Sequence, residues 1–143
     1  MEQQVHFLTL ATADLEAARR FYVEGLGWTP LLDVPGEIVF FQVAPGTVLA
    51  FFEAAQFAQD LGTGPERPAV SGVTLAHNVG DRDAVRALAD AMTAAGGTVL
   101  TPPEEGAFGG VFHALVRDPN GVVWEVAHNP GWSVDADGTV RLG

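Results

Sequence analysis

Arg117-Asp118-Pro119-Asn120-Gly121-Val122-Val123-Trp124-Glu125-Val126-Ala127 is the stretch whose reading decides the fold. Asp-Pro-Asn-Gly is a turn for stated reasons: Pro119 presets φ, Asp118 can accept a local backbone hydrogen bond, and Gly121 tolerates the positive φ that closes the turn. Gly110 to Val116 lies before it and Val122 to Ala127 after it, so the pair predicts a hairpin. A single carboxylate, Glu125, sits inside the second strand between Trp124 and Val126. Burying a lone acid in an apolar strand is costly unless a partner meets it, which makes Glu125 the first candidate for function.

Working outward from the hairpin, the second half of the chain reads as strand, helix, strand and hairpin. Val70 to Val79 forms the strand. A helix beginning at Asp81 or Asp83 carries Val85, Leu88, Ala89 and Met92 on one face and ends at Gly96-Gly97. Thr98–Thr101 is a short strand, and Pro102 to Gly110 reads as a mobile flap in which Phe108 could cover a cavity mouth. The first half has the same order. Val5 to Thr12 is a strand, and Asp14 caps a helix with Leu15, Ala18, Tyr22 and Leu26 inward and Arg19, Arg20 and Glu24 outward. Strands near Trp28–Val34, Glu37–Val43 and Val48–Phe52 follow, separated by Pro35-Gly36 and Pro45-Gly46 turns. A connector runs from about Ala54 to Ala69, with one helical turn at Ala54–Asp60.

The repeat can be checked by register. Asp14 lies seven residues after Phe7, and Asp81 lies seven after Thr74. The chain therefore divides into a β-α-β-β-β unit with connector over residues 1–66, a second over 67–130, and a loosely held tail over 131–143. The fold class expected is α+β.

Composition narrows the functions. The 143 residues suffice for one compact domain or two small halves sharing a core, and 48% hydrophobic content can supply that core. A net charge of −11, with all seven cations arginine, argues against nucleic acid, since phosphate binding needs a basic face. The same charge would favour a cationic ligand over an anionic one. No apolar run is long enough for a bilayer, so no membrane partner is expected. Met1-Glu2-Gln3-Gln4 lacks the basic and apolar regions of a signal peptide, and zero Cys fits a cytoplasmic location.

Thr9-Leu10-Ala11-Thr12-Ala13-Asp14-Leu15-Glu16-Ala17, Arg20-Phe21-Tyr22, Leu26-Gly27-Trp28, Asp118-Pro119-Asn120-Gly121 and Trp124-Glu125-Val126 together resemble the vicinal oxygen chelate superfamily. This is the group of glyoxalases, bleomycin resistance proteins and extradiol dioxygenases. The resemblance spans about residues 5–130. It implies two βαβββ modules whose curved sheets enclose a cavity, commonly in a homodimer. It also implies four cavity-facing positions that supply His or Glu to a metal in the family's metal enzymes. Those positions here are Phe7, Ala50, Thr74 and Glu125, so one ligand of four is present, where catalytic sites usually supply three. The expectation is no metal and no cofactor.

Strand alternation from the four positions puts Phe7, Thr9 and Ala11 on one face, with Val48, Ala50 and Phe52 on another. Thr74, Ala76 and Asn78 form a third group and Val123, Glu125 and Ala127 a fourth. The candidate ligand-binding residues are Phe7, Thr9, Ala50, Phe52, Thr74, Asn78, Phe108 and Glu125, an apolar lining with sparse polar groups that suits a small organic ligand. His6, His77 and His128 fall on the opposite faces, while His113 has no assignable register. The leading functional expectation is sequestration of a small organic molecule, as in antibiotic resistance. The rival is a metal-independent lyase or isomerase with Glu125 as general acid or base, its pKa raised by apolar neighbours unless Asn78, Thr74 or a backbone N–H donates to it. A third is a metal-dependent glyoxalase or extradiol dioxygenase.

Overall fold

The computed structural model describes residues 3, 5–60, 73–106 and 110–142. β1 (Phe7–Thr12) leads into α1 (Leu15–Arg19), which widens into a π-helical segment over Arg20–Gly25. Then come β2 (Leu32–Val34), β3 (Ile38–Ala44), β4 (Thr47–Glu53) and α2 (Ala54–Asp60). The second unit holds β5 (Thr74–Asn78), α3 (Arg82–Ala94), β6 (Thr98–Glu105), β7 (Phe112–Arg117) and β8 (Val123–His128). β9 (Trp132–Val134) and β10 (Val140–Leu142) follow.

The two units have one topology. Their sheets run β1-β4-β3-β2 and β5-β8-β7-β6, with the first and last strands of each unit parallel and the rest antiparallel. The two long helices start alike. Asp14 accepts from Ala17 N and Asp81 from Ala84 N, both at 2.8 Å, satisfying a donor that the helix cannot pair internally. The expected α+β class with two βαβββ modules is what the chain adopts.

One core serves both modules. Leu10, Val39, Phe41, Leu49 and Phe51 of the first sheet meet Ala114, Val116 and Val126 of the second in a single buried cluster. Phe21, Tyr22, Val85, Ala89 and Met92 of the helices fill the space between. Each sheet therefore spends its helix-facing side on the shared core and turns the other side outward.

Several expected boundaries move. Trp28 is not in a strand, because β2 starts only at Leu32, and its ring packs instead against Tyr22, Phe41 and Trp124. Arg19, expected on the wet side of its helix, is drawn in by ion pairs to Glu16 and Asp33 and keeps only 13% of its side chain exposed. β6 continues through Pro102-Pro103 to Glu105, so half of the expected flap is strand. Proline is tolerated there because β6 is a sheet edge, and the register steps between Thr101 and Glu104, leaving both prolines out of the ladder. The expected loose tail contains the β9–β10 hairpin, closed around Gly138 at φ 87° and tied by Arg141 to Asp135 at 2.8 Å. The expected connector beyond Asp60 lies outside the described residues up to residue 72, as do residues 107–109 of the flap.

Candidate functional site

The expected lining residues fall on the expected faces, split between two sheets. In the β1–β4 pair, Phe7 stands opposite Val48, Thr9 opposite Ala50 and Ala11 opposite Phe52, and Phe40 of β3 is opposite Ala50. The Phe7 ring meets Phe40 edge-on, with centroids 6.1 Å apart. Phe7 is 59% exposed, whereas Ala50 is buried. On the second sheet, Thr74 is opposite Val123 and Asn78 opposite Ala127, with Glu125 opposite Ala76. Both sets lie away from the shared core, so one chain places them on separate outward faces. Phe108 lies outside the described residues.

Glu125 has a partner that the sequence reading left open. In the β7–β8 ladder Leu115 is opposite Glu125 and His113 opposite Ala127. Residues 113, 115, 125 and 127 therefore share one face, with His113 diagonal to Glu125. His113 Nδ1 lies 2.7 Å from Glu125 Oε1, and the two side chains keep 23% and 33% exposure. The expected donors Asn78, Thr74 and backbone are replaced by an imidazole. The signal was present in the sequence: a hairpin closed at Asp118–Gly121 fixes which residues of its two strands share parity. Glu104 of β6 stands opposite His113 and is exposed.

Behind this face a buried polar chain locks the modules together. Asp118 accepts from Asn120 N and Val122 N through Oδ1 and from the Tyr22 hydroxyl through Oδ2, each at 2.8 Å. Tyr22 in turn accepts from Trp124 Nε1 at 2.9 Å. Burial pushes the Asp118 carboxyl above the usual aspartate range, while these donors pull it back. Burial, then the Asp118 charge, drives the Tyr22 phenol well above its ordinary value, so it stays protonated and donates. Asn120 bonds Asp14 twice, accepting from its N–H at 2.7 Å and donating to its carbonyl at 2.8 Å. Asp118 and Asn120 are thus structural, as is Trp124, which faces away from Glu125.

Among the described residues, two cavities lie chiefly on the core side of the sheets, where the sequence did not place one. The larger, about 640 Å³, is walled by Leu8, Phe41, Leu49, Leu75, Trp28 and Trp124, with Thr29, Gln42 and His77 among its polar groups. A smaller one, about 240 Å³, shares Trp28, His77 and Trp124 with it. Of the candidate binding residues that the structure describes, none borders either cavity, although Ala76, from the Thr74 group, lines the larger one. The described residues contain no group of three His, Cys, Asp or Glu able to hold a metal ion.

A family profile described as the Glyoxalase/Bleomycin resistance protein/Dioxygenase superfamily matches residues 4–126. Among solved structures, the chain is similar to a glyoxalase-related enzyme from Fulvimarina pelagi. The two share 40% identity over 99% of each chain, with a TM-score of 0.87. It is also similar to a glyoxalase/bleomycin resistance protein/dioxygenase from Nocardioides, at 25% identity, 92% and 87% coverage and a TM-score of 0.72. A lactoylglutathione lyase from Agrobacterium tumefaciens shares the fold at 23% identity, covering 89% of this chain and 94% of that one, with a TM-score of 0.67. No curated protein matches the chain.

Proposed function

The chain belongs to the glyoxalase/bleomycin resistance protein/dioxygenase superfamily, and from that premise we propose that it binds a small organic molecule on its outward sheet faces, without a metal. The observation that carries this reading is the His113–Glu125 pair, partly exposed on a face where Leu115, Ala76 and Ala127 are its immediate neighbours and Thr74 and Asn78 add sparse polar groups. Apolar surface with one fixed polar anchor is the composition of an organic-ligand site. A second copy of the chain closes the faces, because a 59% exposed Phe7 packed edge-on against Phe40 is a poor permanent surface in water. The homodimer and a cytoplasmic setting belong to this proposal.

The metal slots argue for the metal-free form. Phe7 and Ala50 have no donor atom, Thr74 offers a neutral hydroxyl, and the one carboxylate, Glu125, already engages His113. That set does not fit a divalent ion held by His and Glu. Sequestration and metal-independent proton transfer both remain compatible with an apolar face carrying an imidazole and a carboxylate, and the second is favoured specifically by their 2.7 Å hydrogen bond.

A thermal-shift screen over hydrophobic, cationic and carbonyl compounds, with and without divalent metals, tests the proposal. The expected result is a class of organic compounds that raises the melting temperature independently of metal and loses its effect in Glu125→Gln. Stabilisation by a divalent ion alone, or an organic response untouched by Glu125→Gln, would refute it.

A further inference from the structure

We infer that His113, not Glu125, is the proton-accepting group of this site, and that Glu125 acts on it as a positioning residue. The inference rests on the binding face proposed above and adds a role for a residue outside the metal-slot pattern. An ionised carboxylate only accepts hydrogen bonds. A 2.7 Å contact between Nδ1 and Oε1 therefore places the imidazole proton on Nδ1. In the neutral ring this leaves the Nε2 lone pair free of that bond, and the hydrogen bond at one nitrogen fixes the role of the other.

Both groups sit on paired central strands, β7 and β8, with one residue pair, Ala114 and Val126, between theirs in a continuous ladder. That is a rigid mounting, which a positioned base requires. Exposures of 23% and 33% leave the pair reachable without leaving it fully solvated. Its nearest neighbours on the face are Leu115, Ala127 and Ala76; Asn78, opposite Ala127, is the other diagonal donor, yet the bond to Glu125 comes from His113, and Glu104 opposite His113 adds a second negative charge. An imidazolium formed on this face thus has Glu125 in contact and Glu104 nearby to stabilise it.

The chemistry follows in one reversible step. A ligand presenting an O–H, N–H or acidified C–H places that proton at Nε2. The bond to the proton passes from the ligand to the imidazole, and the electron pair stays on the ligand. The resulting imidazolium keeps its Nδ1–H bond to Glu125 and later returns the Nε2 proton. The ligand class is a small, largely apolar molecule with one such donor group.

Two measurements on the full-length protein test this without knowledge of the ligand. Long-range ¹H–¹⁵N spectra of the imidazole rings at mildly alkaline pH should show His113 as the Nδ1–H tautomer in the wild type. In Glu125→Leu the Nε2–H form should rise. Diethyl pyrocarbonate, with modified residues mapped by mass spectrometry, should carbethoxylate His113. The rate should drop by roughly tenfold in Glu125→Leu, on the scale at which losing an orienting partner is felt. His6, His77 and His128 serve as internal references whose rates should not change.

A wild-type His113 found as the Nε2–H tautomer overturns the inference even if the leucine variant fails to fold. So does equal reactivity in a folded variant, for which Glu125→Met, similar in length and without an oxygen acceptor, is the second choice. If an organic ligand binds in a Glu125-dependent way but His113 has the wrong tautomer, this inference falls and the binding proposal stands. The correct tautomer and reactivity with no ligand response to Glu125→Gln has the opposite consequence.

Discussion

Asp118 shows how one side chain can hold a turn and two modules at once. Its three accepted hydrogen bonds come from its own turn and from Tyr22 in the other module, those from Tyr22 and Val122 buried and that from Asn120 partly so. Asp118→Ala leaves the Tyr22 hydroxyl and two backbone donors unpaired in the core, so a loss of about 3 kcal/mol is expected by chemical denaturation. A loss below 1 kcal/mol would show that water replaces the carboxylate. Asp33 makes a contrasting case at the surface. Its hydrogen bonds to the Arg19 guanidinium, including 2.9 Å from Nε, hold its carboxyl below the usual aspartate range. A depressed folded-state pKa contributes stability that is present above the ordinary aspartate value and lost as pH falls through the depressed one. Because Asp33 keeps a third of its side chain exposed, Asp33→Asn should cost only about 0.5 kcal/mol at neutral pH. That difference from wild type should vanish in acid, and a difference that grew on acidification would contradict the assignment.

At the scale of elements, the close approach of the two helices depends on Gly25. A Cβ built there would sit 2.3 Å from the Cβ of Ala95, just past the end of α3, and the alanine has no flexible tip to move aside. The π-helical turn over Arg20–Gly25 ends at this contact, with Leu26 N donating to Phe21 O at 2.9 Å in the wide-turn pattern. Gly25→Ala should therefore force the helices apart and destabilise by about 2 kcal/mol, the usual range for overpacking. Ala95→Gly in the same chain should recover part of the loss. A neutral Gly25→Ala would mean that the helix ends adjust freely. β6 makes a separate point: two consecutive prolines did not end a strand, because an edge strand with a register step needs no ladder donor from them.

For the whole molecule, one shared core leaves each sheet with a face turned away from it, on which Phe7 stays exposed, and two consequences can be measured. Phe7→Asp touches no core residue and should leave the melting temperature of the isolated chain within a few degrees, since exposed substitutions change stability by about 0.5 kcal/mol. If a second copy closes the face, the same change should convert a dimer to a monomer in light scattering. An unchanged mass for the variant would place the contact elsewhere. Leu75→Trp should fill part of the 640 Å³ core-side cavity without altering the outward face. Ligand-induced thermal shifts should survive it. If they are abolished while Glu125→Gln leaves them intact, the ligand sits among Trp28, Trp124 and His77 instead.

The sequence by itself determined the order of elements in the two units, the helix cap at Asp14, a second helix start at Asp81 or Asp83, the Asp-Pro-Asn-Gly hairpin and which residues share each strand face. These follow from local rules: period-two alternation, turn chemistry and capping act over a few residues and need no knowledge of the rest of the chain. It also singled out Glu125 on physical grounds, because a carboxylate in an apolar strand demands a partner. Only the tertiary structure decided what that partner is, since parity puts Thr74, Asn78 and His113 on the face of Glu125 and says nothing of which side chain closes on it. The bond from Tyr22 to Asp118 spans 96 residues and the pair of Asp14 and Asn120 spans 106, distances over which no local pattern carries information. The packing of both helix-facing sides into one core likewise turned the expected lining residues outward onto two separate sheets. Which side of a sheet becomes the interior is settled by what the opposite module brings to meet it.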